Sequence, residues 1–187
     1  MKVTKTKLAG VLIVEPKVFR DSRGFFVETY SSDRYRQAGI TKGFVQDNHS
    51  RSSESILRGL HYQLKHPQGK LVHVIQGEVF DVAVDVRYGS PTFGHWVGVV
   101  LSGDNQKQLY VPPGFAHGFQ VLTPSVDFAY KCTDYYDPQD EHGIAWDDPA
   151  LAIDWPKKDD AILSEKDRLN PNLSDVHVSN LPVFNNK

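Results

Sequence analysis

The stretch Leu57-Arg58-Gly59-Leu60-His61-Tyr62-Gln63-Leu64-Lys65-His66-Pro67-Gln68-Gly69-Lys70 brings an imidazole, a guanidinium and an ammonium close together along the chain. A neutral imidazole can take a proton from a carbon beside a carbonyl, and nearby cations can stabilise the resulting enolate and any phosphate. The segment reads as a strand, a turn through His66-Pro67-Gln68-Gly69, and a second alternating run, Leu71-Val72-His73-Val74-Ile75. The two runs are expected to pair as a hairpin. The plainer alternative is a solvated hairpin with ordinary surface charges.

A second stretch, Val111-Pro112-Pro113-Gly114-Phe115-Ala116-His117-Gly118-Phe119, holds two prolines and a glycine before a histidine. The rigid turn aims His117 inward from the strand that follows. The alternative is a hydrogen-bonded core histidine. Tyr130 shares strand parity with Val126 and Phe128, so its phenol points to an apolar interior and could donate a proton there. The alternative is a core tyrosine bonded to a carbonyl. Of the eight histidines, His49, His66, His95, His142 and His177 read as structural or surface residues. His73 shares parity with Leu71 and Ile75 and reads as a core or interface residue. Leu163-Ser164-Glu165-Lys166-Asp167-Arg168 by itself reads as a solvated helical turn.

The elements that would hold these groups are short strands. Residues 10–15 read as an edge strand ended by Pro16. The turn 21–24 precedes a strand at 25–30, and 31–39 is a short helix with a Ser-Ser-Asp start and a glycine stop. Residues 44–48 are a strand and 50–55 a polar loop. Residues 79–87 give the clearest strand, with Phe80, Val82, Val84 and Val86 on one face and Asp81, Ala83, Asp85 and Arg87 on the other. Strands follow at 96–101 and 108–111, then a pair, 118–122 and 126–132, around Thr123-Pro124-Ser125. Turn signals every ~8–12 residues and the lack of long amphipathic helices indicate an all-β sandwich or barrel. After Pro138 the composition shifts to Asp, Lys and Pro, with Trp146 and Trp155 as isolated anchors. Residues 138–187 are expected as a tail of loops and short helices on a single domain spanning 1–187.

The chain of 187 residues is 40% apolar, enough for a core, and its net charge of −2 argues against a nucleic-acid binder that works by bulk charge. The single cysteine, Cys132, rules out an intrachain disulfide and a Cys-based zinc cage, and suits a reducing cytoplasm. The apolar run after Lys2, Lys5 and Lys7 is too short for a signal peptide and stops at Glu15. No run reaches the roughly 20 apolar residues of a membrane helix.

The pattern Pro112-x-Gly114-x-x-His117 resembles the second motif of the cupin superfamily of jelly-roll barrels. Metal-dependent cupins also need a His-x-His pair. Here the corresponding region offers His61-Tyr62-Gln63, then Lys70 and His73, so a cupin barrel without metal is expected. More specifically, the chain resembles the dTDP-4-dehydrorhamnose 3,5-epimerase family over nearly its whole length. The carriers are Asp21-x-Arg23-Gly24-x-Phe26-x-Glu28, Gln46-Asp47-Asn48-His49-Ser50, the Leu57–Gln63 segment, Gly69-Lys70-Leu71-Val72, the Val111–Phe119 segment, Tyr130-Lys131 and Leu163-Ser164-Glu165-Lys166-Asp167.

The resemblance implies a cofactor-free isomerase that acts at carbons 3 and 5 of a dTDP-4-keto-6-deoxy sugar. In that reading His61 is the base, Asp167 its dyad partner, Lys70 the enolate stabiliser and Tyr130 the acid on the opposite face. Arg23, Phe26 and Glu28 would hold the nucleotide, with Gln46, Asp47 and Asn48 beside it and Tyr136 stacking on the base. Arg58 and His117 would bind diphosphate and sugar, and Glu141 and Lys166 would complete the pocket. The family implies a homodimer that exchanges N-terminal strands, so Arg23 and Glu28 could serve the partner's site. A 3- or 5-monoepimerase, a ketoisomerase, a metal cupin and a carbohydrate-binding barrel remain as rival readings. One tension stands: Arg58 and His61 have opposite parity on an ideal strand, and a bulge or sharp twist at Gly59 is expected to reconcile them.

Overall fold

A computed structural model describes residues 1–184; the last three residues of the expected domain, 185–187, lie outside the described residues. Among the described residues there are thirteen strands: β1 (Lys2–Lys5), β2 (Leu12–Glu15), β3 (Val18–Asp21), β4 (Gly24–Val27), β5 (Gln46–Ser53), β6 (Leu57–Gln63), β7 (Lys70–Gln76), β8 (Glu78–Asp85), β9 (Trp96–Ser102), β10 (Gln108–Val111), β11 (Phe115–Val121), β12 (Ser125–Cys132) and β13 (Glu141–Gly143). Two short α-helices, α1 (Ser32–Gln37) and α2 (Glu165–Arg168), lie at the periphery with three one-turn 3-10 segments.

The strands form two antiparallel sheets, ordered β1-β2-β10-β7-β12-β5 and β13-β6-β11-β8-β9, with β3 and β4 apart as a hairpin. The architecture is the expected all-β jelly roll of cupin type. Inward-facing Val72, Val74, Val79, Leu101, Leu109, Phe119 and Phe128 fill the space between the sheets. The apolar face of β8, with Val82 and Val84, and Val86 just after it are covered from outside by Ile144, Leu151, Ile153, Trp155, Leu173 and Leu181 of the tail. That cover puts Asp81, Ala83 and Asp85 in the interior, since both faces of β8 are buried.

Several expectations are corrected. β6 and β7 do not pair with each other; they belong to opposite sheets. Residues 64–69 carry the chain across, pinned by buried Asp140, which accepts from the Lys65 and His66 N–H groups at 2.8 and 2.7 Å. β11 and β12 likewise lie in different sheets rather than forming a pair. Alternation reveals which face a strand buries, but not which strand lies beside it. β2 is not an edge: β1 covers it, and the lysines of β1 are the polar protection an exposed edge carries. The polar stretch after residue 48 is strand, not loop. Gln46, Asn48, Ser50 and Ser52 alternate inward along β5, and they are polar because part of the interior is a cavity. β4 is shorter than the strand expected at 25–30, and β13 was not foreseen.

Candidate active site

At one end the sheets enclose a cavity of about 660 Å³ instead of closing on each other. Its floor includes Phe119 and Phe128, stacked with ring centroids 4.2 Å apart. β6 contributes Arg58, His61 and Gln63, and β11 contributes His117. From the other sheet, β7 contributes Lys70, β12 Tyr130, and β5 Gln46 and Asn48. Tyr136, Glu141, Ser164, Lys166 and Asp167 come from the tail and its approach and also line the cavity.

The placement of Arg58 and His61 in the same cavity depends on a bulge. His117 pairs with His61 and Phe119 with Arg58, so two steps on β11 meet three on β6. Gly59 has φ +120°, and a Cβ there would sit 2.6 Å from Gly118 Cα and 2.7 Å from the His117 carbonyl oxygen. Glycine is required by both conformation and space. Leu60 and Tyr62 then face the tail, while His61 and Gln63 face the cavity.

His61 Nε2 lies 2.6 Å from Asp167 Oδ1. Burial works to raise the Asp167 carboxyl, but the hydrogen bond and charge of His61, with Ser164 and the Gly59 N–H, hold it below the usual carboxylate range. An ionised Asp167 takes the Nε2 proton as a hydrogen bond and leaves Nδ1 as the basic nitrogen. The nearest acid to Nδ1 is Glu141 Oε1 at 3.7 Å, outside hydrogen-bond reach. Glu141 accepts from the Tyr136 hydroxyl at 2.7 Å and pairs with Lys166. Burial is outweighed by these bonds, so Glu141 too is held low, while the bond to Glu141 pushes the Tyr136 phenol up to about 12. Gln46 Oε1 accepts the Tyr136 N–H at 2.9 Å and fixes that loop against β5.

His117 is buried and its Nε2 lies 2.9 Å from Asp81 Oδ1. Burial pushes the Asp81 carboxyl up, against the pull of His117 and Lys70. Burial pushes the Lys70 ammonium down, against Cys132, Glu141 and Asp81. Tyr130 is raised by burial first, which keeps the phenol protonated. Arg58 Nε donates to Ser52 Oγ at 3.1 Å.

Thus His61, Lys70, Tyr130, Asp167, Arg58, His117, Gln46, Asn48, Tyr136, Glu141 and Lys166 are brought together. Asp47 is not: it lies on the outer face of β5, where it bonds Lys131 at 2.9 Å, because alternate residues on a strand face opposite ways. Arg23, Phe26 and Glu28 also lie outside the cavity, on and just after the β3–β4 hairpin. Arg23 is paired with Asp21, Glu28 with Arg34, and Phe26 is 68% exposed. Asp81 was not assigned from sequence, although a carboxylate within a strand buried on both faces is a signal of such a role. Among the described residues no three His, Cys, Asp or Glu side chains converge as a metal site, and no helix is long and apolar enough to cross a membrane.

A family model described as dTDP-4-dehydrorhamnose 3,5-epimerase matches residues 5–175. The dTDP-4-dehydrorhamnose 3,5-epimerase of Pseudomonas aeruginosa is 53% identical over 177 residues, covering 94% of this chain and 98% of that one. A crystal structure from Legionella pneumophila, a dTDP-6-deoxy-D-glucose-3,5-epimerase in complex with dTDP-4-keto-L-rhamnose, superposes with a TM-score of 0.96 at 54% identity, covering 98% of each chain. A 3'-monoepimerase from Streptomyces bikiniensis in complex with dTDP-quinovose is also similar, with a TM-score of 0.90 at 32% identity, covering 95% of this chain and 91% of that one.

Proposed function

The chain belongs to the dTDP-4-dehydrorhamnose 3,5-epimerase family, and on that premise we propose that it epimerises carbons 3 and 5 of dTDP-4-dehydro-6-deoxy-D-glucose to give dTDP-4-dehydro-L-rhamnose. The observation that carries the residue assignment is the placing of His61 and Tyr130 on opposite sheets, across one cavity. Epimerisation removes a proton from one face of a carbon and returns one to the other, so a base and an acid on facing walls suit the task.

The 4-keto group acidifies both flanking C–H bonds, and the chemistry calls for no redox or metal cofactor. His61 Nδ1 takes the proton from carbon 3 or carbon 5, and Asp167 stabilises the imidazolium through Nε2. The electron pair moves onto the C4 oxygen, where the Lys70 ammonium stabilises the enolate. Tyr130 returns a proton on the opposite face. Arg58 and His117 suit the diphosphate and sugar, and Gln46, Asn48, Tyr136, Glu141 and Lys166 the nucleotide end. We place Arg23, Phe26 and Glu28 in the partner's site of a homodimer, because the β3–β4 hairpin stands apart with its aromatic side chains exposed. The substrate reading needs neither nucleic acid nor membrane. A soluble nucleotide sugar and the unpaired Cys132 suit the cytoplasm. We take the whole chain, 1–187, as one working domain.

The test is proton NMR of the 4-keto nucleotide sugar in deuterated water. Wild-type protein is expected to exchange and invert both carbons, and His61→Asn to abolish deuterium uptake at both. Near-wild-type uptake with His61→Asn assigns the base elsewhere, first to His117. The likeness to a 3'-monoepimerase gives the second reading, inversion at one carbon only, which the same spectra separate.

A further inference from the structure

We propose that Ser164 is a positioning residue for the reaction, holding Asp167, and through it the His61 imidazole, in line for proton abstraction. This rests on the reading of His61 as the base. α2 is a single turn of four residues, too short to keep its own place without outside contacts. Ser164 stands at its N-cap, and its Oγ accepts the Asp167 N–H at 3.1 Å. The Asp167 carboxylate in turn lies 2.6 Å from His61 Nε2.

The arrangement ties the dyad to one frame. The β6 bulge turns His61 into the cavity, where Asp167 meets it, and Ser164 fixes the main chain of Asp167. The backbone at Ser164 is held by the neighbouring bridge, in which Leu57 N–H donates to the Ile162 carbonyl at 2.8 Å. His61 is thereby oriented by a carboxylate whose main chain is restrained. Small misplacements of a base are costly to turnover, because proton transfer needs close alignment.

Steady-state kinetics and deuterium wash-in distinguish this role from a plain helix cap or a substrate contact. Ser164→Ala is expected to lower kcat by about tenfold or more with KM unchanged, and to slow uptake at carbons 3 and 5 by the same factor. Ser164→Thr, which keeps the hydroxyl, is expected to restore both rates. Ser164→Gly, tolerated at helix starts nearly as well as serine, removes the hydroxyl while sparing the fold and is expected to match alanine. A raised KM with unchanged kcat, wild-type turnover in the alanine or glycine variant, or no rescue by threonine overturns the proposal. His61→Asn in the same assay separates the two levels. If it retains exchange, the base assignment fails; if it abolishes exchange while Ser164→Ala exchanges at the wild-type rate, only the role of Ser164 fails.

Discussion

Lys70 and Tyr130 enter the cavity without a hydrogen-bond partner among the described residues, the lysine lowered and the phenol raised by burial. Each is free for the substrate. For Lys70 the gain is greatest when the C4 oxygen bears charge, so Lys70→Ala is expected to cost ~10²–10³ in turnover while the protein stays folded. Turnover near wild type would transfer the oxyanion to Arg58 or His117. In the proposed mechanism Tyr130 acts after abstraction. Tyr130→Phe is expected to leave deuterium exchange in place while net inversion falls, most clearly at carbon 5, as read by NMR. Loss of exchange together with inversion would make the phenol part of the abstraction step.

The element that matters most is β6. A regular strand would send Arg58 and His61 to opposite faces; the bulge at Gly59 sends both inward and puts Leu60 against the tail. Gly59→Ala must accommodate φ +120° and contacts under 3 Å with β11 backbone, so it is expected to destabilise the fold by roughly 3 kcal/mol or more and to lose activity. A denaturant midpoint equal to wild type would show that β6 can relax without the bulge. β5 shows the same economy in polar form. Its inward residues serve the cavity, and its outward Asp47 serves a surface ion pair with Lys131.

At the scale of the molecule, the hairpin β3–β4 is the part the monomer leaves unexplained. It pairs with neither large sheet and carries Phe19, Phe25 and Phe26 at more than half exposure. The service to a neighbouring subunit proposed above would account for it, and subunit mixing tests the idea. Arg23→Ala and His61→Asn subunits, each impaired alone, are expected to recover about a quarter of wild-type activity when combined at random, since half the dimers then hold one intact site of two. No recovery would place Arg23 in its own subunit's site.

The chain by itself determined the fold class, because alternation and turn residues are local properties. It also singled out His61 and Lys70 by their company, Tyr130 by its parity and His117 by the turn before it, and the fold brings all four to one cavity. The need for an irregularity at Gly59, a bulge or a sharp twist, was legible too, as a conflict of parity between Arg58 and His61; the structure has the bulge. Only the tertiary structure decided which strands pair. β6 against β11 and β7 against β12 are contacts between distant segments, and a strand's own pattern carries no label for its neighbour. That pairing put His61 and Tyr130 on facing walls of one cavity. It buried Asp81 beside His117, and it brought Asp167, 106 residues from His61 along the chain, into contact with it. A charged helical turn looks the same on solvent as over a cavity; what distinguishes the two is what it packs against.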